Sequence, residues 1–268
     1  MGGNQLSPGV SVVLATLNEA FNLEACLKSV QWADEIIVVD DGSTDGTPEI
    51  AKRFTDKVVV RPSGGKFHAN QNFAMQMSTC KWILSLDADE IVPADLAKEI
   101  RQVIQSTPYT AFRVGRRNHF LGRWIRHGGW YPDRVIRLFR KGATEWPLEL
   151  HSEPPAPSPE MVGELTVELL HYSYRSFEQY FEKFNRFTNM LAREAHERGD
   201  STGFRDAVVN LVVRPAAWFL YKYVRLSGFR DGLRGFFIAM SSAWVIQVTY
   251  CKLWEIRTRS SPRGTDTA

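Results

Sequence analysis

What the chain has little of narrows the possibilities first. Among 268 residues there are only three cysteines, Cys26, Cys80 and Cys251, and they are far apart. They lack metal-ligand spacing and each has apolar or helix-forming neighbours. They read as reduced, packed thiols in a cytoplasmic setting, not as a disulfide framework. Met1-Gly2-Gly3-Asn4-Gln5 contains no charged stretch followed by an apolar one, so no secretory signal is expected. There is no Gly-x-Gly-x-x-Gly turn and no P-loop, which argues against dinucleotide binding and ATP-cradling chemistry. Large net charge is missing too: the balance is +3, with 44% apolar and 24% charged residues, ordinary values for a globular protein. That charge is unevenly placed. Residues 201–268 carry ten Lys/Arg against four Asp/Glu (+6), leaving −3 on residues 1–200. A basic tail on a near-neutral body calls for a partner of negative charge.

What is present begins with strands. Val10–Leu17 is a continuous β-branched and apolar run, the pattern of a strand buried on both faces. Asn22 is expected to cap a helix in which Leu23, Cys26, Leu27 and Val30 recur at helical spacing. Glu35–Val39 reads as a second buried strand, closed by the turn residues Asp40-Asp41-Gly42-Ser43-Thr44-Asp45-Gly46. A short helix from Thr47-Pro48 to Phe54, a strand at Lys57–Arg61, a helix over 66–79 and a strand at 81–86 come next. Strands alternating with short helices imply a parallel sheet with right-handed crossovers. Three of these strands deliver polar groups at their carboxyl ends: Asn18 and Glu19, Asp40 and Asp41, then Asp87 and Asp89. Each alone is explained by turn chemistry, and Asp87-Ala88-Asp89-Glu90 could simply open the helix that Pro93 and Asp95 begin. Three together fit a binding site at the mouth of an open α/β sheet, with hard oxygen ligands for Mg²⁺ or Mn²⁺.

Taken in order, Ser11–Glu19, Val38–Thr47 and Leu86–Glu90 resemble the family 2 inverting glycosyltransferases of the GT-A fold over about 100 residues. The resemblance implies an α/β fold of GT-A, Rossmann-like type, with a mostly parallel central sheet. It implies that Thr16, Asn18, Glu19 and Asp41 hold the base and ribose of a nucleotide sugar. Asp87 would touch the ribose or the metal, and Asp89 would bind the Mg²⁺ or Mn²⁺ that bridges the diphosphate. Lys66–Asn72 resembles the segment where the family places a basic residue and an Asn near the nucleotide, so Lys66 and Asn72 are carried over as substrate contacts.

Beyond Asp89 the alternation breaks down. Leu96, Ile100, Val103 and Ile104 mark an amphipathic helix. Arg113–Lys141 then holds eight Arg and one Lys against Asp133 alone. Such a run reads either as solvated strand edges or as recognition of phosphate on the donor or on a phosphorylated acceptor, with Arg137 as a candidate contact. Glu149, His151 and Glu153 alternate, so in an extended segment they share a face. An inverting transfer needs one base to take the proton from the acceptor hydroxyl. Glu153 is the first candidate, Glu149 the second, and His151 a candidate metal or diphosphate contact; a polar loop before Pro154-Pro155 is the alternative. Where the family has His-Glu, this chain has His151-Ser152-Glu153. His171 could reach the metal or be a satisfied structural residue. Phe177, Tyr180, Phe181, Phe184, Phe187 and Leu191 form a stripe read as core packing.

Ala207–Val224 and Gly232–Tyr250 are almost uncharged, and the second approaches the roughly 20 apolar residues that span a bilayer. Pro215 and the embedded Arg234 favour helices lying in the interface, with Lys222, Arg225, Arg230, Lys252, Arg257 and Arg259 flanking them and Trp218, Tyr221 and Trp244 at the headgroup level. A helical hairpin that dimerises or covers the sheet is the soluble alternative. The expected division is therefore a nucleotide-sugar-binding and catalytic domain over residues 1–160, a helical segment over 161–203 packed on it, and a helical membrane-associating extension over 204–268.

From Arg134 onward, through Arg137-Leu138-Phe139-Arg140 and Gly228-Phe229-Arg230-Asp231-Gly232, the chain resembles the branch containing lipopolysaccharide core β-1,4-glucosyltransferases. That implies transfer of a hexose, glucose from UDP-glucose, to a lipid-linked saccharide acceptor. The place would be the inner face of the cytoplasmic membrane, with no nucleic-acid partner. A polyprenyl-phosphate sugar synthase, or a catalytically silent nucleotide-sugar-binding scaffold, is the alternative.

Overall fold

Strands rich in Val, Ile and Leu with no polar interruption must be covered on both faces, and the first half of the chain does this with helices. The computed structural model describes residues 6–147, 154–156 and 158–260. In it β1 (Ser7–Thr16) lies parallel to β2 (Glu35–Asp40) on one side and to β4 (Cys80–Leu86) on the other, with β3 (Val58–Val60) parallel to β2. Alternate residues of β1 face opposite layers. Val12 and Leu14 pack with Leu23 and Leu27 of α1 (Ala20–Ser29) and with Leu96 and Ile100 of α4 (Ala94–Val103). Val13 packs with Ala74 and Met75 of α3 (Phe67–Met77). Between β2 and β3 runs α2 (Thr47–Ala51).

The parallel pattern stops at β4. After β5 (Glu90–Ile91) and α4, the chain enters β6 (Ala111–Phe120), β7 (Arg123–Trp124) and β8 (Arg134–Arg140). No crossover helix lies between β6 and β8, so they pair antiparallel, and β8 also runs antiparallel to β4. With β9 (Val162–Glu164) and β10 (Leu169–Tyr174), the strand order is β3-β2-β1-β4-β8-β6-β10-β5, and β7 and β9 pair with β6. The result is a mixed sheet whose parallel half carries the acidic strand ends.

One local detail differs from the sequence pattern. Asn22 does not cap α1; it is buried inside the helix and donates to Glu19 Oε2 at 2.6 Å. The helix starts earlier because the β2–α2 loop satisfies its first amides. Thr47 Oγ1 accepts from Glu19 N and Asp45 Oδ2 from Ala20 N, both at 2.9 Å.

Two compact units are present: Met1–Asn118 with Pro132–Tyr172, and His119–Tyr131 with Ser173–Ala268. The second is mostly helical. Its α5 (Phe177–Glu197) buries Tyr180 and packs Phe184 into a cluster with Phe120, Ile125 and Ile238, while Phe177 and Phe181 stay half exposed. From Phe204 to Arg225 the chain is continuously helical: α6 (Phe204–Val208), a π turn at Val209–Val213, α7 (Arg214–Leu220) and a second π turn at Tyr221–Arg225. The first π turn precedes Pro215, which lacks an N–H to donate. A tight 3₁₀ turn, Gly228–Asp231, then leads into the long helix α8 (Gly232–Ser260). Gly235 is required there, because a Cβ would stand 1.8 Å from the carbonyl oxygen of Gly228.

Candidate active site

Parallel strands in register carry their carboxyl ends to the same edge of the sheet. Thr16 is paired with Asp40, and Leu14 with Leu86, so the residues just past β1, β2 and β4 emerge side by side. Thr16 is buried and donates to Asp40 Oδ1 at 3.1 Å. Asp40 also accepts from Gly42 N at 3.0 Å and Ser43 N at 2.7 Å, which folds the loop after β2. Asn18 takes a left-handed conformation (φ 54°), one that Asn tolerates better than most side chains. Its Oδ1 accepts from Thr44 N at 2.9 Å, and its own N–H donates to Ser43 Oγ at 2.7 Å. Asp41 accepts from the backbone N–H and the hydroxyl of Ser63. Burial works to raise the Asp45 carboxyl, but hydrogen bonds from Thr47 and Ala20 outweigh it and hold the group below its ordinary value. Thr16, Asn18, Glu19 and Asp41 are thus brought together on two loops that brace each other.

At the end of β4 the acidic residues divide by environment. Asp87 is paired with Arg137, whose side chain is 2% exposed and whose Nη2 also lies 2.8 Å from Glu90 Oε1. Burial disfavours the Arg137 cation, but the Asp87 and Glu90 carboxylates more than offset this and hold it charged. Arg116 bridges Glu90 at 3.4 Å and Asp133 at 2.9 Å. Arg137 therefore reaches the partly exposed Asp87 from inside the protein and fixes its direction. Asp89, nearly buried, has Oδ1 3.4 Å from His171 Nε2. His171 Nδ1 is 2.6 Å from Asn118 Oδ1, and Asn118 donates to Asp133 Oδ2 at 2.8 Å. Burial favours the neutral imidazole, yet Asp89 and Glu90 outweigh it and raise the pKa of His171.

Among the described residues no group of three or more His, Cys, Asp or Glu is placed to hold a metal ion. The Asp89–His171 pair offers one carboxylate oxygen and one imidazole nitrogen. The Asp89 carboxylate fits a cation such as Mg²⁺ or Mn²⁺, which takes oxygen ligands and uses few from the protein when substrate phosphates complete its shell; an imidazole suits softer metals.

Of the α3 segment, Lys66 is exposed just before the helix, while Asn72 engages the main chain: it exchanges two hydrogen bonds of 2.8 Å with the backbone of Trp146. His68 Nδ1 lies 2.6 Å from Pro147 O, and the Trp146 indole donates to Ser85 Oγ at 3.2 Å. Together they anchor the chain where it enters residues 148–153. Glu149, His151 and Glu153 lie outside the described residues. The sequence pattern assigns no role to Glu90 or Asn118 and leaves His171 open between metal contact and structural residue. A sign was available for Glu90: Arg137 stands among Val135, Ile136, Leu138 and Phe139, and an arginine buried in such a strand requires a carboxylate partner.

A mixed α/β sheet of this order, with carboxylates and amides gathered at the ends of its parallel strands, is the GT-A architecture of glycosyltransferases. Residues 11–155 match the family model described as "Glycosyl transferase family 2", and the chain belongs to that family. It is a glycosyltransferase. It is 27% identical over 259 residues to the lipopolysaccharide core biosynthesis glycosyltransferase LpsC of Rhizobium meliloti (strain 1021), covering 92% of each chain. An uncharacterized glycosyltransferase of Rickettsia typhi is 27% identical over 267 residues, covering 94% of this chain and 88% of that protein. Among solved structures, S. aureus TarS 1–349 in complex with UDP-GlcNAc is 14% identical with a TM-score of 0.49, covering 93% of this chain and 92% of that one.

Proposed function

We propose that this chain transfers a hexose, glucose carried on UDP, to a saccharide on a lipid-linked acceptor such as the inner core of lipopolysaccharide, with inversion at the anomeric carbon. The observation that carries the reading is the assembly of Thr16, Asn18, Glu19, Asp41, Asp87 and Asp89 at adjacent ends of β1, β2 and β4. Similarity to LpsC along nearly the whole chain favours the acceptor class.

In this reading Thr16, Asn18, Glu19 and Asp41 bind base and ribose, and Lys66 adds positive charge toward the diphosphate. Asp87 is turned to the ribose by Arg137. Asp89 would hold Mg²⁺ or Mn²⁺, with His171 beside it and His151 as a further contact, and the bound cation would supply charge stabilisation for the departing UDP. Glu153, or else Glu149, takes the proton of the acceptor hydroxyl while its oxygen bonds to the anomeric carbon and the bond to UDP breaks. Asn72 and His68 steady the start of the segment that carries this base.

The C-terminal region from residue 204 onward rests on the cytoplasmic face of the membrane. One helix, Gly228–Arg259, is long and apolar enough to cross a bilayer by length and composition. A position in the interface is favoured because Arg234 donates to Phe120 O at 3.2 Å and Leu121 O at 3.0 Å, which ties that end of α8 to protein. The site is tested by UDP release from UDP-glucose with lipid extract, with and without Mn²⁺. Asp89→Ala lowers transfer at least ~100-fold, the equivalent of about 2.7 kcal/mol of charge stabilisation, and leaves the circular dichroism spectrum unchanged. Wild-type turnover by that variant with Mn²⁺ present refutes the assignment. Transfer to polyprenyl phosphate in place of a saccharide hydroxyl moves the chain to the synthase class.

A further inference from the structure

The arginines between Arg113 and Arg140 are not equivalent once folded. Arg116, Arg117, Arg134 and Arg137 each pair with carboxylates: Asp133, Glu168, Glu164, and Asp87 with Glu90. Arg140 donates to Thr107 O at 3.0 Å and lies over the Trp82 ring. Arg123 and Arg126 have no carboxylate partner among the described residues, and neither does Arg230 from the turn before α8. These three line a single cavity of about 370 Å³ within the second unit, together with Trp124, His127 and Asp231.

Asp231 lines the cavity too, but its ion pair is with His127. Its Oδ2 accepts from the backbone N–H of Arg126 at 3.2 Å and of His127 at 2.8 Å, and Oδ1 lies 3.3 Å from His127 Nδ1. This carboxylate pins the loop after β7 to the Gly228–Asp231 turn and so brings Arg126 and Arg230 to one cavity. The loop is closely built. Gly128 N donates to Leu226 O at 2.9 Å, and a Cβ on Gly228 would stand 2.8 Å from Lys222 O. The Arg126 guanidinium sits 4.2 Å from the centre of the Trp124 ring, and Trp124 meets Tyr131 edge-on at 5.3 Å. Stacking restricts the planar fork and leaves its N–H edges for an anion.

The geometry points to a phosphorylated sugar as the ligand of this cavity, its phosphate held by Arg123, Arg126 and Arg230 and its ring beside Trp124. Guanidinium forks match phosphate oxygens, an indole offers an apolar face with a polar edge, and the volume suits a group of monosaccharide size. Resting on the glycosyltransferase reading above, such a ligand belongs to the acceptor class, a phosphorylated saccharide, and not to the nucleotide donor.

Calorimetric titration of the full chain tests this. Glucose 6-phosphate binds saturably at low salt, and unphosphorylated glucose does not. The double variant Arg126→Gln/Arg230→Gln weakens binding at least tenfold with an unchanged melting temperature, and Arg123→Gln provides a second, milder variant. Equal affinity in the wild type and both variants overturns the proposal, as does equal binding of glucose itself. Co-sedimentation with phosphatidylglycerol vesicles separates the lipid source: a loss confined to vesicle binding, with glucose 6-phosphate unaffected, also overturns it. UDP is titrated into the same samples. A wild-type chain that fails to bind UDP contradicts the donor reading without altering the sugar-phosphate result.

Discussion

Arg137 stands between Ile136 and Leu138 in the middle of β8, where a charged side chain is stable only with partners. Asp87 and Glu90 supply them, and Glu90 is itself fully buried. Removing one member of such a group leaves an uncompensated charge in a low-dielectric surrounding, which costs far more than the intact group contributes. Arg137→Met is therefore expected to destabilise the chain by about 3–5 kcal/mol in urea denaturation. The double variant Glu90→Gln/Arg137→Met should regain part of that loss, since the buried carboxylate, left with Arg116 at 3.4 Å as its ion-pair partner, is gone. A single variant as stable as the wild type would show that the pairing is dispensable. Asp89 differs from Asp87 in kind: its near neighbour is the titratable His171, so these two carboxylates of one short motif serve different ends.

Glu35 performs a comparable task for whole strands. It opens β2, and its carboxylate accepts from Ser11 of β1, from Thr79 N at 2.8 Å and Thr79 Oγ1 at 3.0 Å just before β4, and from Lys57 before β3. Four strands of the parallel half are thus tied near their amino ends by one side chain. Burial works to raise its pKa, but the bonds from Lys57, Ser11 and Thr79 prevail and hold it below the ordinary glutamate value. The folded state therefore binds its proton less readily than the unfolded chain. The stability this adds is fully present above the unfolded value of about 4.3 and is lost as pH falls through the lower folded value. Stability measured from pH 7 to pH 3 should fall more steeply for the wild type than for Glu35→Gln. At pH 7 that variant should already be weaker by roughly 2 kcal/mol, the scale of hydrogen bonds to a charged group. Parallel acid profiles for the two proteins would contradict this.

For the molecule as a whole, the second unit leaves large apolar side chains in water. Phe204 is 85% exposed and Leu233 81%, and Val212, Val213, Leu220, Val224 and Phe229 are all more than half exposed. Exposed apolar surface on that scale marks an interaction face, and Arg205, Arg214 and Arg225 accompany it. The full chain is expected to float with vesicles containing phosphatidylglycerol and to be released progressively as salt rises. Phe204→Glu/Leu233→Glu should weaken flotation at least tenfold, because burying each side chain in lipid is worth roughly 1.5–3 kcal/mol. A wild-type chain that stays in solution beside such vesicles at low salt would rule out the membrane face.

Much of the candidate site was legible because it is local. A strand buried on both faces announces itself as an unbroken apolar run, and the residues just past its carboxyl end are read straight off the chain: Asn18 and Glu19, Asp40 and Asp41, Asp87 and Asp89. The order and spacing of those runs were enough for the family and for the parallel half of the sheet. Residue order alone did not reveal which arginines meet carboxylates. Arg137 reaches Asp87 and Glu90 across 50 and 47 residues, and only the antiparallel register of β8 on β4 brings them together. For the same reason the structure, and not the charge run, separated Arg123 and Arg126 from their paired neighbours. It also decided that α1 is capped by Thr47 and Asp45 from a distant loop instead of by Asn22. Local pattern arises from the hydrophobic effect acting on one segment at a time, whereas charge pairing depends on how far-apart segments are placed, which is settled only when the core closes.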